Sequence, residues 1–392
     1  MRVRRQVREH GKSGVANLSS PSVLAYPIHG HTKLLTEGYR TRDGHIIEWL
    51  ARRALSAGPV QVFSRPEPLV KQILDHRRMT SSATDVPNTL YIDKTVLRLP
   101  NLTDRHRWWA DSAMLYPPLS PAFQSVPAVI WNPFIGSSSQ RRTVLNDVRV
   151  TLFDLLDDWT IHYNFVGIRH EVDEAYKRVF DKVDHVTANS EGTLDLAHRY
   201  GRSDAVLLTN GCDPERFSTS SQATGPITIG YVGKLGRRID DDLIAKACAA
   251  LPECNFVIAG PLLDGDLDRR LAKYTNCRFL GDVRYDIVPA LLETFDLGWI
   301  PHKTGPGEVG GDAIKTYEYR AAGLPVLSTP IAGVGRRGLS EVHVVAADQQ
   351  VEWMRDFFGH RNRIDRVIAS IPSEATWEYV SGQMQKLLVP SP

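Results

Sequence analysis

A glycine turn in the second half of the chain carries cations in a spacing suited to phosphate chemistry. Gly233 ends a predicted apolar strand, and three cations follow it, namely Lys234, Arg237 and Arg238. Glycine amides, a helix N-terminus and cations together bind a diphosphate. The alternative for this segment alone is a tight turn with solvated cations. A nicotinamide site is disfavoured, because the glycine spacing is not G-x-G-x-x-G and no acid ends the next strand.

A second glycine-rich segment, residues 305–311, leads directly into a predicted helix over 312–322. Lys315 and Glu318 lie three and six residues after Asp312, on roughly one side of that helix. A carboxylate placed there accepts hydrogen bonds from both hydroxyls of a ribose, and a lysine approaches phosphate. The plainer alternative is an ordinary surface helix. The glycine-rich loop that feeds the helix favours binding.

The elements that must position these residues alternate between short apolar strands and amphipathic helices, a pattern typical of parallel α/β sheets. Strands are predicted over 22–26, 60–63, 128–131, 150–153, 185–188, 205–208, 227–233, 256–259, 277–280, 297–300 and 326–328. Helices are predicted over 44–55, 171–181, 191–200, 266–274, 288–295, 312–322 and 375–388, and from 240 onward. Residues 64–126 give no clear pattern.

This alternation predicts two doubly wound, Rossmann-like α/β domains facing a central crevice. The polar run that ends at Gly225 marks the join between them. The predicted parts are a basic tail over 1–20, a first domain over 21–209, a second domain over 210–374 and a final helical segment over 375–392.

The composition excludes several classes of protein. Of 392 residues, 42% are hydrophobic and 23% charged, as in soluble globular chains. The 47 Lys and Arg residues nearly balance the 45 Asp and Glu residues, so no nucleic-acid partner is indicated. No stretch reaches the ~18 uncharged apolar residues of a membrane helix, and the four cysteines show no paired spacing. We therefore predict a cytoplasmic protein. Its basic tail is either solvated or in peripheral contact with anionic lipid at the inner face of the membrane.

Five segments, spread over roughly residues 185–390, resemble in order those of retaining GT-B glycosyltransferases of family 4, also called glycosyl transferases group 1. The longest, DAIKTYEYRAAGLPVLST over 312–329, resembles the donor-binding segment. TNGCDPERF over 209–217 resembles the interdomain segment, and YVGKL over 231–235 resembles the phosphate turn. FLGDV over 279–283 resembles the base-binding strand end. Trp377-Glu378, in the last helix, resembles the helix that crosses back to the first domain.

The resemblance implies a set of donor-binding residues, which are Gly233, Lys234, Arg237, Arg238, Val283, Gly311, Asp312, Lys315 and Glu318. Among them, Glu318 would hold the ribose hydroxyls, and Lys234 would clamp the diphosphate together with Arg237 or Arg238. Val283 would meet the base through its backbone. Gly311 and Asp312 would lie by the distal phosphate and sugar.

The chain departs from the family pattern at two positions. The family has a glutamate eight residues before the position of Glu318, where this chain has Gly310, with Glu308 nearby. It also has a lysine five residues after the position of Lys234, where this chain has Ile239. Arg237 or Arg238 is the candidate replacement for that charge.

The expected chemistry needs no cofactor and no metal. Cations and amides, Lys234 foremost, stabilise the charge that grows on the leaving diphosphate, and the leaving phosphate accepts the proton of the acceptor. The acidic runs at 240–242 and 264–266 resemble metal-binding pairs, but helix starts explain both better. The donor expected is a UDP-sugar or a GDP-sugar.

The sequence gives weaker signals for the residues that bind the acceptor. Asp154, Asp157 and Asp158 follow a predicted strand, where the family places residues close to the reacting sugar. Asp157 is our candidate catalytic residue on this side, with helix capping as an equal alternative. Three further groups have both a binding and a structural interpretation, namely His29 with His31, Arg40 with Arg42 and His45, and Trp108 with Trp109. The two tryptophans could stack on a sugar, touch a bilayer edge or lie in a core.

The sequence thus predicts a retaining, hexosyl-type glycosyltransferase. It would transfer a sugar to a hydroxyl on a glycan, a lipid-linked glycan or a small molecule, in polysaccharide or glycoconjugate synthesis. Within the enzyme class, the alternative is a GT-B nucleotide-sugar epimerase. From another class, the alternative is a non-catalytic nucleotide-sugar-binding or scaffold protein of the same fold, which the missing glutamate favours. A nicotinamide dehydrogenase ranks third.

Overall fold

The computed structural model describes residues 20–389, except 56, 77–83, 102–103, 138–142, 264 and 306–309. Residues 1–19 of the predicted tail, Glu308 and Asp264 therefore lie outside the described residues. Among the helices of the described part, none is long and apolar enough to cross a membrane.

The first domain is built on a seven-stranded, entirely parallel sheet in the order β4-β2-β1-β6-β7-β8-β9. Its strands are β1 (Val23–Tyr26), β2 (Val60–Phe63), β4 (Thr89–Ile92), β6 (Ala128–Ile130), β7 (Thr151–Leu155), β8 (His185–Ala188) and β9 (Val206–Leu207). A separate parallel pair joins β3 (Glu67–Pro68) to β5 (Thr95–Val96). The helices are α1 (His31–Glu37), α2 (Arg42–Arg53), α3 (Leu69–His76), α4 (Trp108–Ala113), α5 (Val144–Asp147), α6 (Arg169–Lys182) and α7 (Glu191–Arg199).

The second domain has a six-stranded parallel sheet in the order β12-β11-β10-β13-β14-β15. Its strands are β10 (Thr228–Val232), β11 (Asn255–Ala259), β12 (Cys277–Gly281), β13 (Leu297–Ile300), β14 (Val326–Ser328) and β15 (Val342–Val344). The helices are α8 (Asp241–Ala250), α9 (Leu267–Leu271), α10 (Val288–Glu293), α11 (Ile314–Ala321), α12 (Gln350–Phe358) and α13 (Trp377–Leu388).

Both sheets reverse their strand order beside their first strand, at β1/β6 and at β10/β13. In doubly wound sheets, ligands bind outside the carboxyl ends of the strands at this switch point. The turn at Gly233 follows β10, and the loop that leads to α11 follows β13. The two glycine-containing segments singled out in the sequence therefore meet at one switch point.

Helix α13 returns to the first domain. Trp377, Val380, Met384 and Leu388 all belong to the core of the first sheet. The start of the helix is tied to the interdomain segment, because the Trp377 amide donates to the Cys212 carbonyl at 3.0 Å. The last helix thus holds the two domains together.

Every predicted strand and helix coincides with an observed one, and β2, β8, β13 and β14 match at both ends. The largest shift is at α9, which is predicted to reach residue 274 but ends at Leu271. The sequence did not predict α1, α3, α4, α5, α12, β4, β15 or the β3/β5 pair. All four cysteines are free thiols.

Candidate functional site

The phosphate turn after β10 is fixed by close backbone packing. The Gly233 amide donates to the Ala259 carbonyl at 2.9 Å, and a Cβ on Gly260 would lie 1.8 Å from the Gly233 oxygen. Gly260 also has a φ of +145°, so only glycine suits this contact. The tight packing holds the turn, and with it Lys234, at the edge of the sheet.

Lys315 of α11 lies directly against this turn. A Cβ on Gly233 would come within 2.9 Å of the Lys315 Cε, so the absent side chain leaves room for the lysine. Burial lowers the pKa of Lys315 to about 8. The attraction of Glu318 opposes this shift, and the repulsion of Arg238 adds to it. The lysine is therefore a half-buried cation without a neutralising ion pair among the described residues.

Arg238 and Arg237 take different positions. An Arg238 Nη2 lies 3.0 Å from the Asp157 Oδ1, across the crevice in the first domain. The Arg237 guanidinium instead lies over the Tyr163 ring, with its central carbon 5.2 Å from the ring centre. Of the two arginines, only Arg238 lowers the pKa of Lys315. Arg238 is therefore the better candidate to replace the family lysine at the position of Ile239. Ile239 itself is buried in the core of the second domain.

His302 belongs to this cluster and was missed in the sequence. Its Nε2 lies 3.3 Å from the Tyr231 hydroxyl. Burial lowers the pKa of His302 well below its ordinary value, and Lys315 and Arg238 lower it further. The imidazole is therefore neutral and adds no charge. A lone histidine after a strand gave no signal of this placement.

Glu318, one turn after Lys315 on α11, is a buried carboxylate with 7% exposure. Burial raises the pKa of Glu318, opposed by the Tyr285 hydroxyl and by the charges of Lys315, Arg216 and Arg40. Helix α11 sits this close to the sheet because Gly298 makes room for it: a Cβ there would meet the Tyr319 ring at 2.3 Å. A buried carboxylate beside three cations suits the two hydroxyls of a ribose.

Val283, the predicted base-binding residue, is reached by an arginine of the first domain. The Arg40 Nη1 donates to the Val283 carbonyl at 3.0 Å and to the Asp282 Oδ1 at 2.8 Å. The same guanidinium pairs with Glu37 through Nε at 3.3 Å. Arg40 thus lies at the edge of the predicted base site.

Glu37 of α1 is a second residue that the sequence did not reveal. Its Oε2 lies 3.5 Å from the Lys234 Nζ, and its Oε1 lies 3.8 Å from the Lys33 Nζ. Burial alone would raise the pKa of Glu37, but Lys234, Lys33 and Arg40 outweigh it and lower the pKa to about 2. Glu37 and Asp157 therefore face the two phosphate-turn cations from the opposite domain.

The loop before α11 touches the first domain through glycines. A Cβ on Gly311 would lie 2.3 Å from the Asp157 Oδ1 and 3.0 Å from the Leu156 oxygen. Gly310 has a φ of +75°, accepts a hydrogen bond from the Ser190 hydroxyl, and packs against Gly192. A glutamate at Gly310 would be strained here, which gives a structural reason for the departure from the family pattern.

The side chain of Asp312 contacts the interdomain segment and its neighbours. Its carboxylate accepts the Asn210 amide at 2.9 Å and the Tyr317 hydroxyl, and pairs with the Arg337 Nε at 3.3 Å. Burial raises the pKa of Asp312, opposed by Arg337 and Tyr317. Its side chain fixes the interdomain segment, so any contact with the donor falls to its backbone and stays a prediction.

Several acceptor-side candidates are structural. Asp154 is fully buried and accepts hydrogen bonds from Arg42, Trp131 and Thr187. Asp158 is buried and bonded to Thr160 and Arg199. Of Asp154, Asp157 and Asp158, only Asp157 pairs with a phosphate-turn cation.

The interpretation of the tryptophans as a bilayer contact is wrong. Trp108 is 4% exposed and donates from its indole to the Pro66 carbonyl at 3.0 Å. Trp109 packs against Trp159 and lies under the Arg65 guanidinium. His45 is likewise buried, stacked on Trp377 with ring centres 4.8 Å apart.

A metal ion has no obvious ligand set in the described part of the chain, where no three His, Cys, Asp or Glu side chains come together. Asp240 caps α8 by accepting the Leu243 amide at 2.9 Å. Asp241 and Asp242 pair with Arg270. These acids thus cap the start of α8 and connect it to α9.

The geometry therefore gathers Lys234, Arg238 and Lys315 around the turn of Gly233, with Glu318 behind them and Val283 at the end of β12. Such a site can neutralise a diphosphate, hold a ribose and present a reacting group to Asp157 across the crevice.

The second domain is similar to known glycosyltransferases. Residues 226–355 match the family model described as glycosyl transferases group 1. A relative, the putative teichuronic acid biosynthesis glycosyltransferase TuaH of Bacillus subtilis (strain 168), is 26% identical over 181 residues, 43% of this chain and 46% of the relative. The chain thus matches less than half the length of that relative.

Solved structures match nearly the whole chain. Sucrose-phosphate synthase from Thermosynechococcus elongatus has a TM-score of 0.68 at 13% identity, covering 94% of this chain and 98% of that one. Anabaena HepE, solved with UDP and glucose, has a TM-score of 0.61 at 14% identity, covering 93% of this chain and 98% of that one. OtsA has a TM-score of 0.61 at 13% identity, covering 95% and 100%. The fold is GT-B, as the sequence predicted.

Proposed function

We propose that this protein is a glycosyltransferase that moves a sugar from a nucleotide-diphosphate sugar to a hydroxyl acceptor with retention of configuration, as in family 4. The observation that carries the proposal is the meeting of Lys234, Arg238 and Lys315 at the switch point of the second sheet, beside the buried Glu318. This arrangement suits both the diphosphate and the ribose of one donor. The family-model match over the same domain supports it.

The donor we propose is a UDP-sugar or a GDP-sugar. Glu318 would accept both ribose hydroxyls, since its carboxylate is acceptor-only when ionised. The base would lie against the backbone of Val283, near the Arg40 guanidinium that already contacts that carbonyl at 3.0 Å. Arg40 then belongs to the base end of the site, and Lys234 to the phosphate end.

The transfer step follows from the cations. As the bond between the sugar C1 and the phosphate oxygen breaks, the diphosphate gains negative charge, which Lys234 and Arg238 stabilise in place. The acceptor oxygen forms the new bond to C1, and its proton passes to the leaving phosphate oxygen. Asp157, 3.0 Å from Arg238, would orient the acceptor hydroxyl.

The acceptor class we propose is a glycan, a lipid-linked glycan or a small molecule used in polysaccharide or glycoconjugate synthesis. The relative from Bacillus subtilis, which is named for teichuronic acid biosynthesis, favours this assignment. A cytoplasmic location with peripheral membrane contact through the basic tail completes the proposal.

A transfer assay with anomeric analysis tests the proposal. The wild type is incubated with UDP- and GDP-sugars and candidate acceptors, and the release of nucleoside diphosphate and the anomeric configuration of the product are measured. We expect Lys234→Ala to lower kcat by about 10²–10³, as loss of one charge-stabilising group does. Lys246→Ala, which removes an exposed lysine of α8, is the matched control and should leave kcat unchanged.

Two outcomes would contradict parts of this proposal. Binding of the nucleotide without any turnover would identify a non-catalytic nucleotide-sugar-binding protein. A product of inverted configuration would preserve the glycosyltransferase assignment and overturn retention.

A further inference from the structure

A cavity in the first domain carries an excess of cations that the donor site does not use. Four of its lining residues are cationic, namely Lys33, Arg65, Lys71 and Lys94, whereas two are acidic, namely Glu67 and Asp93. Both acids already have partners: Glu67 pairs with Arg65 at 2.7 Å, and Asp93 pairs with His31 at 2.8 Å. The cavity is therefore a site of net positive charge.

Arg65 is the most telling residue of this cavity. It is 6% exposed, and its guanidinium lies over the Trp109 ring, with the central carbon 3.9 Å from the ring centre. Nη2 donates to Glu67, but Nε and Nη1 have no partner among the described residues. Buried donors are nearly always satisfied, because each unpaired one costs free energy. Nε and Nη1 lie on different edges of the guanidinium, so each can donate separately to an oxygen of a carboxylate or a phosphate.

The lowered pKa values of Lys33 and His29 indicate the same excess of positive charge. Burial lowers the pKa of Lys33 to about 8, and repulsion from Lys234, Arg65 and Lys71 outweighs the attraction of Glu37. Burial also lowers the pKa of His29 well below its ordinary value, with Lys33 adding to the effect. An anion in the cavity would relieve this repulsion.

The cavity adjoins the donor site through one carboxylate. Glu37 lies 3.8 Å from the Lys33 Nζ on the cavity side and 3.5 Å from the Lys234 Nζ on the donor side. The loop at Gly30, which also lines the cavity, follows β1 at the switch point of the first sheet. A molecule anchored in the cavity can thus extend toward the leaving diphosphate, which is where an acceptor must lie.

We propose that this cavity binds an oxyanion carried by the acceptor, a phosphate or a carboxylate, so that the acceptor is an anionic sugar rather than a neutral one. This inference rests on the proposed function, since only a transferase has an acceptor. Arg65 would donate to the oxyanion from one of its two unpaired nitrogens, with Lys33 and Lys94 contributing charge.

The test is a calorimetric titration of the full-length protein with four probes: inorganic phosphate, glucose 6-phosphate, glucuronic acid and glucose. Each titration is run with and without saturating UDP or GDP, so that anions bound in the donor cradle are recognised by their displacement. We expect anionic probes to bind in the presence of nucleotide at least tenfold more tightly than glucose. Glucose 6-phosphate and glucuronic acid separate the phosphate source from the carboxylate source.

Two variants locate the binding. Arg65→Gln should weaken anion binding at least tenfold, and Lys94→Met, at a half-exposed position, should weaken it at least threefold. Arg98→Gln, which removes an exposed arginine of the same domain, is the control and should leave it unchanged. If Arg65→Gln does not fold, Lys94→Met decides.

Equal binding of glucose and the anionic probes, or anion binding that survives Lys94→Met and Arg65→Gln, would overturn the inference. Nucleotide binding by the wild type reports on the donor site alone. A protein that binds nucleotide but does not select anions refutes only this inference. A protein that selects anions but binds no nucleotide refutes the proposed function instead.

Discussion

Lys315 shows how burial sets the charge of a single residue in the site. The surrounding protein lowers the pKa of Lys315 to about 8, although Glu318 attracts its charged form. A lysine with this pKa is mostly charged at neutral pH and loses its charge as the pH rises through about 8. The lysine is thus available to bind a diphosphate near neutrality, and its loss of charge gives a measurable pH dependence.

We predict that the affinity for UDP or GDP falls as pH rises above about 8, by up to about tenfold per pH unit. The reason is that only the protonated lysine attracts the diphosphate. Lys315→Arg stays charged, because the arginine pKa lies above ~12, so its affinity should remain flat over pH 7–10. Calorimetric titration at several pH values measures both.

Lys33→Arg is the control for this experiment, because Lys33 also has a pKa of about 8 but lines the acceptor-side cavity. It should retain the pH dependence of the wild type. The same pH dependence in wild type and Lys315→Arg would show that Lys315 does not contact the diphosphate.

At the residue scale, sequence spacing could predict the partners that share a turn or a helix. Lys315 and Glu318 are one helical turn apart, and Lys234 follows a recognisable glycine turn. Glu37 and His302 could not be predicted in this way. Glu37 reaches Lys234 only because α1 faces β10 across the crevice, and His302 follows a strand without any motif.

At the scale of elements, α13 joins the two domains by burying an apolar face in the first. Trp377 is fully buried and stacks on His45, whereas Tyr379 on the same helix is 39% exposed. The helix therefore contributes stability mainly through one face.

We predict that Trp377→Ala lowers the free energy of unfolding by about 3–5 kcal/mol, as large-to-small changes in cores do. Tyr379→Ala should change it by no more than about 0.5 kcal/mol, as surface changes do. Denaturant unfolding, followed by circular dichroism, measures both. Similar losses for the two variants would mean that the helix is not anchored by its buried face.

The elements missed in the sequence share a physical cause. Strand β4 is partly exposed along its length and lies within residues 64–126, the segment whose sequence gave no clear pattern. Helix α1 has only seven residues and no side-chain cap at Gly30. Elements buried on both sides, such as β10 and β13, carry continuous apolar sequences and were predicted.

At the scale of the whole molecule, Arg42 ties the interdomain segment to the first domain. Its guanidinium binds the buried Asp154 through Nε at 2.8 Å and donates to the Leu208 carbonyl at 2.8 Å and the Thr209 carbonyl at 3.0 Å. The sequence left Arg42 as an ambiguous member of a basic cluster. The reason is that its partners lie more than a hundred residues away in the chain.

We predict that Arg42→Met lowers the free energy of unfolding by about 3–5 kcal/mol, because it leaves the buried Asp154 without its cationic partner. Adding Asp154→Leu should recover much of this loss. Arg53→Met, at a side chain with 37% exposure, is the control and should cost less than about 1 kcal/mol. A double variant no more stable than Arg42→Met would contradict the account of the pair.

The acceptor side could not be predicted because it is formed by residues scattered over the first domain. Lys33, Arg65 and Lys94 follow three different strands and come together only through the order of the sheet. The predicted donor-binding residues lie within the second domain, in segments that resemble family motifs. The fold, set by the alternation of apolar strands and helices, was therefore the most predictable level.

The most direct test of the central claim is a thermal-shift panel with UDP, GDP, ADP and NAD on wild type, Glu318→Gln and Glu352→Gln, an exposed control on α12. A ligand at a hundred times its Kd stabilises by ~2.7 kcal/mol, which raises Tm by several degrees. We predict that UDP or GDP shifts the wild type and Glu352→Gln, and that Glu318→Gln loses the shift. A shift with NAD alone, no shift with any nucleotide, or an undiminished shift in Glu318→Gln would contradict the account.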